Sequence, residues 1–174
     1  MQLLLKKRTK INLRFQILDF RWDAFGKVFV TCKRNLNLKL QIGNEVWIND
    51  IGSGSSIPTS NRNSAAQVLH VLGRYFLIDC AEATQHQLRR FHVPYNKINH
   101  IFISHLHGDH FFGLIGFLST LSLQGRRGEM HIYAEPRLQE LIGCQMKILH
   151  SRFTFPLFFH ALSRREEVIY EDKV

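Results

Sequence analysis

The sequence predicts an α/β-type layered domain, in which helices cover a sheet. Short runs of β-branched and aromatic residues alternate with helix-like segments along the chain. Clusters of turn-forming residues separate these segments. The chain has 174 residues, of which 45% are hydrophobic and 21% charged, so it can bury one substantial core. These fractions exclude a disordered or collagen-like chain.

The predicted strands share apolar–polar alternation or a β-branched composition. They lie at residues 27–32, 36–42, 45–51, 67–72, 75–78, 98–104, 129–134, 153–160 and 166–170. Gly73 and Arg74 separate two of them and predict a two-residue hairpin turn. The segment 52–58 is rich in Gly, Ser and Pro and predicts a loop.

Helices are predicted between the later strands, at residues 82–91, 111–123 and 136–146. Pro94 lies beyond the first helix, and Gly125 marks the end of the second. Pro136 opens the third helix near its first turn, where proline is well tolerated.

The formal net charge of +9 is concentrated in residues 1–43, which carry ten Lys or Arg against Asp19 and Asp23. Residues 44–174 carry only +1. We therefore predict a basic N-terminal extension over 1–43 and a single domain over 44–174. The total charge suggests an anionic partner such as nucleic acid. Because nearly all of this charge lies in residues 1–43, the net charge does not independently support RNA binding by the domain over 44–174.

Several classes of protein are disfavoured by the sequence. No stretch reaches the ~18 uninterrupted apolar residues that span a bilayer, so no membrane association is expected. The N-terminus has the wrong order of apolar and basic residues for a secretory signal. Three cysteines, with no C-x-x-C, fit a reducing cytosol.

The densest set of chemically useful side chains is His105-x-His107-x-Asp109-His110, directly after a predicted buried strand. His105 and His107 can point to one side of an extended loop, and a turn at Gly108 can redirect the other two. Imidazole and carboxylate suit Zn²⁺, and two ions ~3.5–4 Å apart form the usual clamp for phosphoryl hydrolysis. The alternative is a polar loop with Asp109 as a helix N-cap.

Other candidates carry weaker signals. The arginine pairs 89–90 and 126–127 could contact phosphates, but solvated helix ends are the favoured interpretation. The loop at 52–58 lacks the ending of a P-loop. Ser64 could bond near the site or simply pack or cap. No G-x-S-x-G elbow is present.

The segment 104–110 resembles the H-x-H-x-D-H signature of the metallo-β-lactamase superfamily. Neighbouring segments narrow the resemblance to the N-terminal portion of ribonuclease Z, the tRNA 3′-processing endonuclease family. These segments are residues 52–59, 63–68, 77–85, 98–104 and 113–120. The resemblance implies an incomplete αββα fold, roughly its N-terminal half.

The resemblance also implies roles for individual residues. His105 and His107 would bind one zinc, and Asp109 and His110 the second, giving two Zn²⁺ per intact site. Asp109 would also accept the proton of the attacking water. Asp79 would support the site from beneath.

By the same resemblance, the intact protein would be a cytoplasmic homodimer acting on precursor tRNA. Another metallo-β-lactamase-fold hydrolase, acting on a phosphodiester or a thioester, is the first alternative. A non-catalytic remnant whose basic N-terminus binds RNA or a partner is the second.

Two departures from the family pattern generate expectations. Ala81 and Ala83 stand where the family usually has glycine, and alanine would be strained there if φ is positive. A later histidine, a bridging aspartate and a final histidine have no match after His110. We therefore expect little activity from these 174 residues alone, and an exposed apolar inner face on the sheet.

Overall fold

The computed structural model of the protein describes residues 12–16, 46–52, 63–71, 73–162 and 168–173. The chain divides into two units, residues 1–41 with 163–174, and residues 42–162. In the first unit, β1 (Asn12–Gln16) and β8 (Val168–Lys173) form a two-stranded antiparallel sheet.

The second unit is a six-stranded mixed sheet with intervening helices. Its strands are β2 (Val46–Gly52), β3 (Ala66–Val71), β4 (Arg74–Ile78), β5 (Ile98–Phe102), β6 (Met130–Ala134) and β7 (Leu157–Ala161). Its helices are α1 (Thr84–Arg90), a short 3-10 turn (Tyr95–Lys97), α2 (Gly108–Phe111), α3 (Leu114–Leu123) and α4 (Pro136–Ile148).

The predicted strands at 27–32 and 36–42, and the loop residues 53–58, lie outside the described residues. The division between residues 43 and 44 stays a prediction.

The spatial order of the larger sheet follows the chain, from β2 to β7. The first two pairings are antiparallel and the last three are parallel, each parallel crossover containing a helix. The predicted hairpin between β3 and β4 is confirmed, with Gly73 at a φ of 81°. Val71 pairs with Arg74, so Arg74 belongs to the strand and not to the turn.

The apolar helix predicted over 111–123 begins earlier and is interrupted. α2 starts at Gly108, and α3 starts at Leu114. The break occurs because the N–H of Gly113 bonds to the carbonyl of Cys80, at 3.0 Å, outside the helix. Among the described residues, no helix is long and apolar enough to cross a bilayer.

One face of the sheet and the three longer helices share a single apolar core. The strand side chains that enter it alternate along β4, β5 and β6, as a half-buried strand requires. Fully buried members include Leu77, Ile101 and Ile132 from the strands, and Leu88 and Phe117 from the helices.

The opposite face carries two rows of stacked rings that cross the strands in register. The first row runs Phe76–His100–His131–Phe158, with ring centroids 5.5, 5.0 and 5.1 Å apart. The second runs Phe102–Tyr133–His160, with centroids 4.5 and 4.4 Å apart. His100 has no partner pattern in the local sequence, because its ring partners lie on neighbouring strands. The alternation of rings within β5, β6 and β7 was the available signal.

The expectation of an exposed apolar inner face is wrong for most of these rings. Phe76, Phe102 and Tyr133 are 0%, 6% and 4% exposed, whereas Phe158 is 43% exposed. The exposed ring, Phe158, lies on β7 at the edge of the sheet.

Acidification is expected to destabilise the fold through His100. Burial is the main cause that lowers its pKa to about 4, and the charges of His131, His160 and Arg74 lower it further. Because an unfolded histidine titrates near 6.5, the unfolded state takes up the proton first as the pH falls. The stabilisation present above pH 6.5 is therefore lost as the pH falls towards 4.

Urea unfolding of the wild type and of His100→Asn, at about pH 7 and about pH 5, measures this effect. The variant should lose less stability than the wild type on acidification. The exposed His86→Asn should behave as the wild type does. Equal losses in wild type and His100→Asn would contradict the prediction.

Candidate metal centre

The predicted metal-binding motif lies at the carboxyl end of β5, which pairs on both sides with parallel strands. The N–H of Ile103 bonds to the carbonyl of Tyr133 and holds the exit of the strand against β6. His105 then lies in an irregular loop, and His107 is the N-cap residue of α2. Asp109 and His110 lie within α2, where an acidic side chain near the N-terminus is favourable.

Asp109 is not a helix cap, because the cap position belongs to His107, without a side-chain capping bond. The capping alternative therefore fails. Ligation by His105, His107, Asp109 and His110 remains a prediction.

A second strand-end loop, after β4, is joined to this motif by three backbone hydrogen bonds. The N–H of Asp79 donates to the carbonyl of Phe102 at 2.7 Å, and that of Cys80 donates to the carbonyl of His110 at 2.7 Å. The Gly113–Cys80 bond completes the set. Because β4 and β5 are parallel neighbours, their carboxyl ends meet at one edge of the sheet, and these bonds fix the two loops together.

The carboxylate of Asp79 lies at the centre of this junction and is only 6% exposed. It accepts the backbone N–H of Ser104 at 2.8 Å and the hydroxyl of Ser104 at 3.0 Å. Nδ1 of His110 lies 2.8 Å from the same carboxylate. Asp79 has a φ of 58°, a left-handed conformation that such anchored positions retain at a cost.

The protonation of the histidines responds to this carboxylate. Burial lowers the pKa of His110, but its hydrogen bond to Asp79 and the negative charges of Asp79 and Asp109 outweigh that effect and raise it. Burial lowers the pKa of His105, and the charge of His110 lowers it further. One ring is thus stabilised as a cation and its neighbour as a neutral imidazole.

The structure brings the four predicted ligands near one another. The ring centroid of His105 lies 3.9 Å from that of His110 and 4.7 Å from that of His107. Oδ2 of Asp109 lies 3.6 Å from Nε2 of His110. Across the described ranges, no group of three or more His, Cys, Asp or Glu side chains is already arranged around one metal position.

The donor chemistry nevertheless fits zinc. Imidazole nitrogens and a carboxylate are its ordinary ligands, and a ligating histidine commonly donates its other N–H to a carboxylate. His110 has that partner in Asp79, which leaves Nε2 directed away from the carboxylate that holds Nδ1. Asp79 thus contacts Ser104 and His110 of the motif, and its role in supporting a metal site remains a prediction.

Arg126 is not the solvated helix end that we expected. Its guanidinium donates to the carbonyls of Asn96, Gly128 and Glu129 and to the side chain of Asn99. Burial lowers its pKa. These bonds tie the end of α3 to the starts of β5 and β6, so Arg126 is a structural residue. Its neighbour Arg127 and the pair Arg89 and Arg90 are exposed.

The two alanines that replace the family's glycines differ. Ala83, the N-cap residue of α1, has a φ of 62°, whereas Ala81 is not among the positive-φ residues of the described chain. The expected strain is therefore real at Ala83 only.

Ala83→Gly is expected to raise the free energy of unfolding by about 0.5–1 kcal/mol. Glycine avoids the penalty of roughly 1–2 kcal/mol that alanine has in the left-handed region. The larger backbone entropy that glycine loses on folding offsets part of this gain. Ala81→Gly, at a fully buried position, is expected to do the opposite. Thermal and urea unfolding of both variants measures the contrast. Stabilisation by both, or by neither, would be inconsistent with it.

Comparison with known proteins places residues 46–147 within a family model described as Anti-Pycsar protein Apyc1. A protein named ribonuclease Z from Bacteroides fragilis is 40% identical over 124 residues, which cover 71% of this chain and 41% of the relative. The ribonuclease Z of Bacteroides thetaiotaomicron is also 40% identical, over 71% of this chain and 39% of its own length. The chain thus spans about two fifths of these curated relatives.

Two solved structures are also similar to this chain. The human tRNase Z, short form, is 38% identical with a TM-score of 0.61, over 66% of this chain and 43% of that protein. The metallo-β-lactamase fold protein YhfI of Bacillus subtilis is 22% identical with a TM-score of 0.53, over 69% and 48%, and shows the fold alone. The predicted resemblance and the predicted fold class are confirmed, and the partial coverage fits an N-terminal portion.

Proposed function

The chain belongs to the family described as Anti-Pycsar protein Apyc1, and we propose that its motif supplies part of the active site of a zinc-dependent endoribonuclease. That enzyme would remove the 3′ trailer of precursor tRNA. The similarity to proteins named ribonuclease Z and tRNase Z supports the substrate. The observation that carries the chemistry is the buried Asp79 carboxylate, which anchors both Ser104 and His110 beneath the motif.

The proposed roles follow the donor groups of the motif. His105 and His107 would hold one zinc, and Asp109 and His110 the other. Zinc, when bound, supplies Lewis-acid polarisation of the phosphoryl group and makes water acidic enough to react at neutral pH. Asp109 would accept the proton of the attacking water, and Asp79 would keep the ring of His110 from rotating.

Four ligands for two zincs are too few for tight binding, since zinc sites are generally four-coordinate and catalytic ones use about three protein ligands. A polypeptide limited to these 174 residues is therefore expected to bind zinc weakly and to cleave precursor tRNA poorly. By resemblance, we place the intact protein in the cytoplasm as a homodimer.

A chimera tests the proposal. Residues 46–162 would replace the matching N-terminal segment of Bacteroides fragilis ribonuclease Z, whose remaining length would supply the rest of the fold. The purified chimera should contain zinc and cleave precursor tRNA at the 3′ trailer. The 174-residue chain, assayed beside it, should show little cleavage.

A folded, zinc-loaded chimera that leaves precursor tRNA intact would contradict the proposal. Robust zinc-dependent cleavage by the 174 residues alone would contradict the expected need for further ligands. Sedimentation of the active chimera would test the dimer.

A phosphodiesterase with a different substrate is the second candidate. It is favoured by the family model, whose description names an anti-Pycsar protein and not a tRNA-processing enzyme. Turnover of a small phosphodiester such as bis(p-nitrophenyl) phosphate by the chimera, without cleavage of precursor tRNA, would favour this candidate.

A further inference from the structure

Ser104, which sequence reasoning assigned no role, contacts three of the polar side chains at the site. Its Oγ lies 3.0 Å from Oδ2 of Asp79, 3.0 Å from Nδ1 of His105 and 3.2 Å from Nδ1 of His110. Its backbone N–H bonds to Oδ1 of Asp79, which fixes where the side chain starts.

The direction of these bonds follows from counting protons. An ionised carboxylate can only accept hydrogen bonds, so the single hydroxyl proton of Ser104 is donated to Asp79. The serine oxygen then has only lone pairs to offer to His105. Nδ1 of His105 must therefore carry the proton and donate it to Ser104. Nδ1 of His110 faces the same carboxylate and carries a proton for the same reason.

We propose that Ser104 is a positioning residue that transmits the charge of Asp79 to His105 and sets its tautomer, with the proton on Nδ1 and the lone pair on Nε2. The inference deepens the proposed function and rests on it for the identity of the metal.

In this arrangement one carboxylate orients two imidazoles. It acts directly on His110 and through one hydroxyl on His105. When the two rings are neutral, each has an unprotonated Nε2, which is the form that binds a metal ion. Many ligating histidines donate their other ring N–H to a carboxylate or carbonyl, which fixes the tautomer and the orientation of the ring. For His105, the hydroxyl of Ser104 is this acceptor.

Three variants separate this role from simple packing. Ser104→Ala removes the acceptor that meets Nδ1–H of His105, so the proton of that ring should shift towards Nε2 while His110 keeps Nδ1–H. Ser104→Thr retains the hydroxyl and should retain both tautomers. Asp79→Asn places an N–H donor where Oδ2 stood, so both rings should shift towards Nε2–H.

Nitrogen-15 NMR of the imidazole rings in the metal-free 174-residue protein, at about pH 8.5 and so about two units above the ordinary histidine pKa, reads the tautomers directly. Signals of His105 are assigned by their loss in His105→Gln. Ser122→Ala is the matched control, because it removes a partly exposed hydroxyl that bonds only to Thr154 among the contacts described.

Zinc titration of the same proteins should show affinity about 10- to 100-fold weaker in Ser104→Ala and unchanged in Ser104→Thr and Ser122→Ala. An unchanged Nδ1–H on His105 in Ser104→Ala would overturn the inference, whatever the affinity. The expected tautomers together with a chimera that spares precursor tRNA would overturn the proposed function and leave the role of Ser104 standing.

Discussion

Asp109→Asn in the ribonuclease Z chimera is expected to lower the rate of precursor tRNA cleavage by about 10³-fold. The change removes a proposed zinc ligand and the proposed proton acceptor together, and general base catalysis alone contributes typically 10²–10⁴-fold. Asparagine has nearly the shape of aspartate, so the helix α2 that carries it should form as before. Single-turnover cleavage assays at saturating enzyme measure the chemical step without the contribution of RNA binding.

Glu82→Gln is the matched control, since it makes the same carboxylate-to-amide change at an exposed position in the neighbouring strand-end loop. It should cleave at the rate of the parent chimera. General base catalysis typically accelerates a reaction by at least about 10²-fold. A loss of less than about tenfold in the cleavage rate of Asp109→Asn would therefore rule out a proton-accepting role for Asp109.

Gly113→Ala is expected to lower the free energy of unfolding by about 3 kcal/mol. An added Cβ would overlap the carbonyl oxygen of Ala81 and lie 2.8 Å from its carbonyl carbon, both backbone atoms that cannot rotate away. Relief requires the two loops to separate, which would lengthen the Gly113–Cys80 hydrogen bond. Overpacking of this kind typically costs 1–3 kcal/mol, and the upper end applies where backbone meets backbone.

Gly143→Ala provides the contrast. Gly143 lies inside α4, and a Cβ there would meet nothing within 4 Å. The same substitution should therefore stabilise the protein by about 1 kcal/mol through helix propensity. Urea unfolding followed by circular dichroism measures both variants. Similar changes in stability at the two positions would show that the close approach at Gly113 has no energetic consequence.

Much of the fold was predictable from local patterns. The strands of the larger sheet follow apolar alternation closely, and Gly73 marked the hairpin because its φ of 81° is one that glycine adopts without cost. The interruption between α2 and α3 was not predictable in the same way. The apolar run from Phe111 continues through it, and the break depends on a hydrogen bond to Cys80, more than thirty residues earlier.

The environments of two polar residues were likewise not predictable from the local sequence. Arg126 has the sequence context of a solvated helix end, yet its partners are carbonyls and an amide from two strand starts. His100 has no local partner pattern, yet it stacks between Phe76 and His131 because three strands are in register. Local sequence carries no information on register between strands.

The sequence by itself predicted metal-dependent chemistry, because His105, His107, Asp109 and His110 are all donor types that bind zinc. It also determined the class of fold, since alternation and turn residues act locally. Only the tertiary structure decided how the donors are held. Asp79 reaches Ser104 across 25 residues and His110 across 31, because parallel strands bring their carboxyl ends to one edge of the sheet. A contact made by strand pairing depends on topology, and no local pattern of residues encodes which loops that topology will join.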